Sequence, residues 1–124
     1  RLPKIYLGLT EEEKLYGHHN NKELELALNI ITAINEMPHL DLAYVTKIDV
    51  ADAYHDRLGK QEIILTVQYG DHNHYLRMLS ENYQDQLKYY CNLQNMRHYQ
   101  DVVVDLRLEE HIYLTPVDKE QLCL

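Results

Sequence analysis

The sequence predicts an α+β fold, a mainly antiparallel β-sheet with two helices packed on one face. Three observations predict it. Two segments repeat apolar residues at helical spacing, other segments alternate apolar and polar residues, and short turns join several of the alternating segments. Short turns make neighbouring strands antiparallel. Two helices that each have one apolar side must cover one face of the sheet.

Length and composition indicate one folded domain. The chain has 124 residues, 45% of them hydrophobic and 26% charged, which is ordinary for a folded domain. The net charge of −8 argues against nucleic acid as the main partner, because binding phosphates needs clustered Lys and Arg. We expect residues 1–117 to form the domain and residues 118–124 to form a C-terminal tail. Because the chain opens at Arg1 without an initiator Met, we also expect it to be an N-terminally truncated piece of a longer protein.

The first helix is predicted after an extended opening and the polar stretch "HHNN". Asn20 is the expected N-cap, and Glu23 three residues later completes a capping-box pattern. Pro38 ends the helix because it has no N–H to donate. The expected apolar stripe consists of Leu24, Ala27, Leu28, Ile31 and Ile34.

A central group of strands follows. We expect a strand over residues 42–50 and a clearer one in "QEIILTVQY", after the polar connection "ADAYHDRLGK". "GDHN" predicts a turn in which Gly70 takes a positive φ, and "HYLRML" returns as the paired strand.

The second helix is predicted over residues 81–96 with Ser80 as its cap. Its expected inward residues are Tyr83, Leu87, Tyr90 and Cys91. Cys91 is expected to pack as a small hydrophobe. In an oxidising compartment it could instead form a disulfide with Cys123, and two cysteines alone do not decide between these states.

The stretch "VVVDLRLEEHIYLTP" predicts two strands over a two-residue turn. Val102, Val104, Leu106 and Leu108 are expected on one face. Asp105 and Arg107 lie on the other face, where they could form a structural ion pair. The last strand, His111 to Val117, would leave unpaired N–H and C=O groups, and such an edge invites another chain to pair with it.

No constellation of residues indicates catalysis. Nucleophile-elbow, P-loop and dinucleotide-binding motifs are all missing from the sequence. His72 and His74 would point to the same side of a strand, as two metal ligands can, but a metal site needs three or four ligands. We interpret the pair as part of a solvated turn. We therefore expect no enzymatic activity, no cofactor and no bound metal.

Five segments follow one another along the chain in a characteristic order. They are "LPKIYLG", "ALNIITAI", "KIDVADAYHDRLGKQEIILTVQYGDHNHYLRM", "ENYQDQLKYY" and "VVVDLRLEEHIYLTP". In this order they resemble the β domain of the FtsQ/DivIB cell-division proteins, where a D-L-R triplet is typical of the closing strands. Individually these motifs are short, so their order carries most of the resemblance, and the chain departs from the family at Arg77-Met78-Leu79, where the family often has Gly.

The resemblance implies a non-enzymatic scaffold of the division machinery. It implies one N-terminal transmembrane helix in the cell (inner) membrane, with this domain on the extracytoplasmic or periplasmic side. It also implies that FtsB-like and FtsL-like division proteins add a strand to the C-terminal edge. On such an edge we expect Tyr113, between Ile112 and Leu114, to be the aromatic anchor. The matching residues are Glu110, His111, Ile112, Tyr113, Leu114, Thr115, Pro116 and Val117.

Three alternatives stay open at the level of sequence. The last strand could be a covered edge on which Tyr113 merely packs. The chain could be an envelope assembly module of another system that shares only the α+β topology; an upstream membrane helix followed by a POTRA-like unit would favour division. The third alternative is a metal-dependent enzyme that uses His72 and His74.

Overall fold

The order of elements along the chain is strand, helix, three strands, helix and two strands. The computed structural model describes residues 2–8, 22–93, 100–108 and 111–117, with backbone alone at 111–113. The elements are β1 (Lys4–Tyr6), α1 (Lys22–Asn35), β2 (Val45–Asp49), β3 (Ile63–Tyr69), β4 (His72–Met78), α2 (Tyr83–Asn92), β5 (Val102–Leu108) and β6 (His111–Pro116).

The strands form one mixed sheet in the order β1-β2-β3-β4-β5-β6. Three neighbouring pairs are antiparallel, namely β2–β3, β3–β4 and β5–β6. The pairs β1–β2 and β4–β5 are parallel, because a helix separates their strands and carries the chain back to the starting end. The predicted α+β class and the mainly antiparallel sheet are therefore confirmed.

The topology repeats itself. The first half runs β1-α1-β2-β3 and the second half runs β4-α2-β5-β6, each with a parallel pair followed by an antiparallel strand. The hairpin between β3 and β4 joins the two halves. Both helical crossovers step in the same direction from strands that point the same way, so the right-handed crossover rule puts both helices on one face.

The core lies between this face and the helices. Rows of residues that are paired across the sheet point toward the helices. The central row consists of Ile48, Leu65, Leu76 and Val104, none of which has exposed surface. Ile30 and Ile34 of α1 and Leu87 of α2 belong to the same buried cluster. Alternate strand residues thus supply one continuous core, which fixes the register of every strand.

The predicted stripe of α1 is wrong in part. Ala27 and Ile34 are buried as expected, but Leu28 is 50% exposed, and Leu24 and Ile31 are half buried. The helix buries Leu26, Ala27, Ile30 and Ile34 instead. Apolar residues occur around most of this helix, so its sequence offers two overlapping stripes and packing against the sheet selects one. The expected cap, Asn20, lies outside the described residues.

Two element boundaries and the burial of one strand residue also differ from the expectation. Residues Leu42–Tyr44 form a 3-10 turn, held by a hydrogen bond from the Ala43 N–H to the Asp41 carboxylate at 2.9 Å. The N-cap of α2 is Asn82, not Ser80, and its side chain makes no capping hydrogen bond. Leu108 is 55% exposed because the pairing of β5 with β6 shifts register after Asp105.

Candidate partner-binding edge

Strand β6 forms one edge of the sheet within the described part of the chain. Its inner side pairs with β5. The paired residues are Val102 with Pro116, Val103 with Thr115, Val104 with Leu114, Asp105 with Tyr113 and, after a register shift, Leu108 with His111. The other edge, β1, is three residues long against six for β6. The C-terminal edge is therefore the longer one.

The direction of the backbone groups in β6 follows from the bond that closes the strand. The Val117 N–H donates to the Asp101 carbonyl at 3.1 Å. Because the N–H and C=O groups of successive residues point to opposite sides of a strand, those of Tyr113 and Thr115 point toward β5. Those of Ile112 and Leu114 point away from the sheet. Pro116 also points outward but has only a carbonyl to offer.

The side chains near this edge are partly apolar. Leu114 pairs with the fully buried Val104 and is itself 37% exposed. It is the last member of the central apolar row, on the side that carries the helices. Thr115 and Pro116 are exposed and Val117 is half buried. The edge thus combines outward backbone groups with an incompletely covered Leu.

The other residues expected at the edge are described less fully. Glu110 lies outside the described residues, and His111, Ile112 and Tyr113 are described as backbone only. Tyr113 occupies the register position opposite Asp105. Its own N–H and C=O bond to β5, so its backbone is not free to bond an added strand. The role of its side chain as an anchor stays a prediction.

The ion pair expected at Asp105 and Arg107 is confirmed. The Nε of Arg107 donates to Oδ1 of Asp105 at 3.0 Å, and its other guanidinium nitrogen donates to Oδ2 at 2.9 Å. This bidentate contact is the strong form of the Arg–carboxylate interaction. The structure adds two residues that the sequence did not indicate. Arg77 bonds Glu62 through Nε at 2.7 Å and lies 3.7 Å from Asp105.

Within this cluster the pKa values of Asp105 and Arg107 are shifted. Burial alone would raise the pKa of the Asp105 carboxyl, but hydrogen bonds from Arg107 and the charges of Arg107 and Arg77 outweigh it and lower that pKa. The hydrogen bond to Asp105 raises the pKa of Arg107. We interpret the cluster as structural, because each charge is paired and it lies on the face away from the helices.

The interpretation of His72 and His74 as a solvated turn is wrong for His74. Both residues lie in β4, where His72 is half buried and His74 has no exposed surface. Nδ1 of His74 is 2.7 Å from the hydroxyl of Tyr90, and the ring of Tyr69 meets the imidazole edge-on. His74 pairs with Val67 and Val102 on the core side, so it is a packed core residue.

A shallow groove of about 280 Å³ lies between the C-terminal ends of the two helices. Cys91 lines it as a free, half-buried thiol, and burial raises the pKa of that thiol. Its possible disulfide partner, Cys123, lies outside the described residues. No group of three or more His, Cys, Asp or Glu side chains in the described ranges is arranged to hold a metal ion.

Comparison with protein-family models, with curated proteins and with solved structures found no match to this chain. Among the described residues, neither helix has the length and apolar character needed to cross a membrane. The features that bear on function are therefore the resemblance in the sequence and the geometry of the edge.

Proposed function

We propose that this chain is the β domain of a FtsQ/DivIB-like division scaffold. It is not an enzyme, and it recruits FtsB-like and FtsL-like proteins by accepting a strand along β6. The whole protein would be held in the cell membrane by one N-terminal helix, with this domain on the extracytoplasmic side. The observation that carries the proposal is the six-residue edge strand with outward backbone groups at Ile112 and Leu114.

The physical chemistry of an open edge supports strand addition. Each outward N–H or C=O can exchange water for a main-chain bond with a partner, which supplies affinity, while alternate side chains supply specificity. Leu114 adds apolar surface that an added strand would cover. Natural sheets blunt edges that must stay unpaired, for example with Pro. Here Pro116 blunts only the last residue of β6.

The test is a binding titration of the full-length protein with the membrane-distal segments of FtsB-like and FtsL-like proteins from the same organism. Residue-resolved amide exchange then locates the contact. We expect the amides of Ile112 and Leu114 to exchange quickly in the free protein and to become protected in the complex. The amides of Tyr113 and Thr115, which bond β5, should be protected in both states. Binding without new protection in β6 would contradict the edge mechanism.

A matched pair of variants separates the backbone from the side chain. Leu114→Pro removes an outward N–H without removing a bond to β5, and edge positions of this kind tolerate Pro. Leu114→Ala keeps the N–H and removes only the side chain. We expect Leu114→Pro to weaken binding about tenfold more than Leu114→Ala, as the loss of one main-chain bond at the interface implies. Equal affinities of the two variants would show that the outward N–H takes no part. Circular dichroism should show a folded domain in both.

A further inference from the structure

The topological repeat makes β6 the counterpart of β3. Each strand is the last in its half, and each pairs antiparallel with the strand before it. The outer side of β3 already holds a strand, because β4 pairs with it along its full length. The outer side of β6 is the equivalent position in the second half. The way β4 docks on β3 is therefore a template, within the same molecule, for a strand that docks on β6.

The residue equivalence follows from the register. Leu65 of β3 pairs with Ile48 of β2, and Leu114 of β6 pairs with Val104 of β5. Ile48 and Val104 occupy the central apolar row, which makes Leu65 and Leu114 equivalent. On the outer side Leu65 pairs with Leu76. Leu76 thus marks the place that a partner residue would take opposite Leu114.

The hydrogen-bond directions agree with this equivalence. The two-residue turn at Gly70 makes Tyr69 and His72 the closing pair of the β3–β4 hairpin, which exchanges both bonds. Counting back in steps of two, the pair Leu65 and Leu76 also exchanges both bonds, so the groups of Leu65 point outward to β4. The groups of Leu114 point outward as well. The outer sides of β3 and β6 therefore present the same backbone pattern at equivalent residues.

The burial of the two equivalent residues shows that the outer side of β6 lacks a covering strand among the described residues. Leu65, flanked on both sides, has no exposed surface, whereas Leu114, flanked on one side, is 37% exposed. A residue opposite Leu114 would lie on its helix-bearing side, because directly paired residues share a face. On the other face, Tyr75 and Arg77 pair with Thr66 and Ile64. The template therefore alternates an apolar residue with polar or amphipathic ones.

We infer that β6 accepts an extended, antiparallel peptide segment whose apolar residue is seated opposite Leu114, as Leu76 is seated opposite Leu65. This inference rests on the proposed function and specifies the segment that it requires. Pro116 stands where Val67 stands in β3, and it has no N–H to donate. The main-chain bonds of the docked strand are therefore concentrated at Ile112 and Leu114.

The experiment uses the full-length protein and the membrane-distal FtsB-like segment as the probe. Leu114→Cys and Ile112→Cys are placed separately in a background with Cys91→Ala and Cys123→Ser, and single Cys residues are scanned along the probe. Directly paired residues that exchange both bonds have Cα atoms about 5.5 Å apart, within disulfide range. We expect one probe position to cross-link to residue 114, and the position two residues later in the probe to cross-link to residue 112.

The position that cross-links to residue 114 is then changed to Lys in an otherwise native probe. We expect that position to hold an apolar residue natively, and we expect Lys there to weaken binding about tenfold. Lys at the next position along the probe, which faces the other side, is the matched control and should change affinity less than threefold.

The outcomes separate the two levels of the argument. A charged native residue at the cross-linked position, or a probe running in the opposite direction, overturns the inferred register while new protection of the β6 amides still supports strand addition. A probe that binds without protecting β6, or that does not bind, overturns the proposed function and this inference with it.

Discussion

The two faces of the sheet use alternate residues of the same strands, yet they are stabilised in different ways. On the helix-bearing face, Leu65 and Leu76 are directly paired and have no exposed surface. The adjacent pair, Ile64 and Arg77, lies on the other face, where Arg77 belongs to an ion cluster with Asp105. Excluding water from apolar surface contributes about 25 cal/mol per Å², whereas partly exposed ion pairs are screened by solvent. Equivalent substitutions should therefore cost more on the helix-bearing face.

The largest expected effect is that of truncating the central apolar row. Leu76→Ala removes a fully buried side chain and should lower the free energy of unfolding by about 3 kcal/mol. Ile64→Ala on the other face removes a half-buried side chain and should cost about 1 kcal/mol. Urea denaturation of both variants measures the difference. Equal losses in the free energy of unfolding would mean that the face away from the helices excludes water as completely as the helix-bearing face.

The next effect concerns the polar contact within the core. Tyr90→Phe deletes the hydroxyl that bonds Nδ1 of the fully buried His74, and should lower the free energy of unfolding by about 2 kcal/mol. Tyr89 is on the same helix but is 55% exposed, so Tyr89→Phe is the matched control and should be close to neutral. Thermal unfolding that fails to distinguish the two would show that the contact contributes no net stability.

A smaller effect is expected from the ion cluster. Asp105→Asn weakens the bidentate contact with Arg107 and removes the charge facing Arg77. We expect a loss of about 1 kcal/mol in the free energy of unfolding, and less at high salt because salt screens partly exposed charges. Asp56→Asn changes an exposed carboxylate and serves as the control. A salt-independent loss would indicate that packing, and not charge, holds the cluster.

The smallest effect is the pH dependence of the same carboxylate. Since its pKa is lower in the folded protein than its ordinary value, ionised Asp105 stabilises the fold. This contribution is complete above the unfolded pKa of about 3.9 and is lost as the pH falls through the folded value. Between pH 5 and strongly acidic conditions, the free energy of unfolding should therefore fall less steeply for Asp105→Asn than for the wild type. Parallel pH profiles would contradict this assignment.

Much of the sheet face away from the helices, and of the β6 edge, could be predicted from the sequence. The alternation of apolar and polar residues predicted the strands of the β3–β4 hairpin and the closing pair β5–β6. Asp105 and Arg107 are two residues apart in one strand, and this spacing indicated their ion pair. Glu62 and Arg77 were missed because they reach the cluster from other parts of the chain, Arg77 from β4 and Glu62 from the residue just before β3. Their only signal was charge within strand segments, which by itself does not say which charges meet.

What the sequence by itself determined about this protein is local. Periods of two and of 3.6 residues, together with turn residues such as Gly70, set the kind and order of most elements and hence the α+β class. Only the tertiary structure decided which side of α1 is buried, that His74 lies in the core, and that two strand-helix-strand-strand units repeat with β6 equivalent to β3. Local periodicity depends on neighbours a few residues away, whereas burial and strand order depend on contacts between residues far apart in the chain.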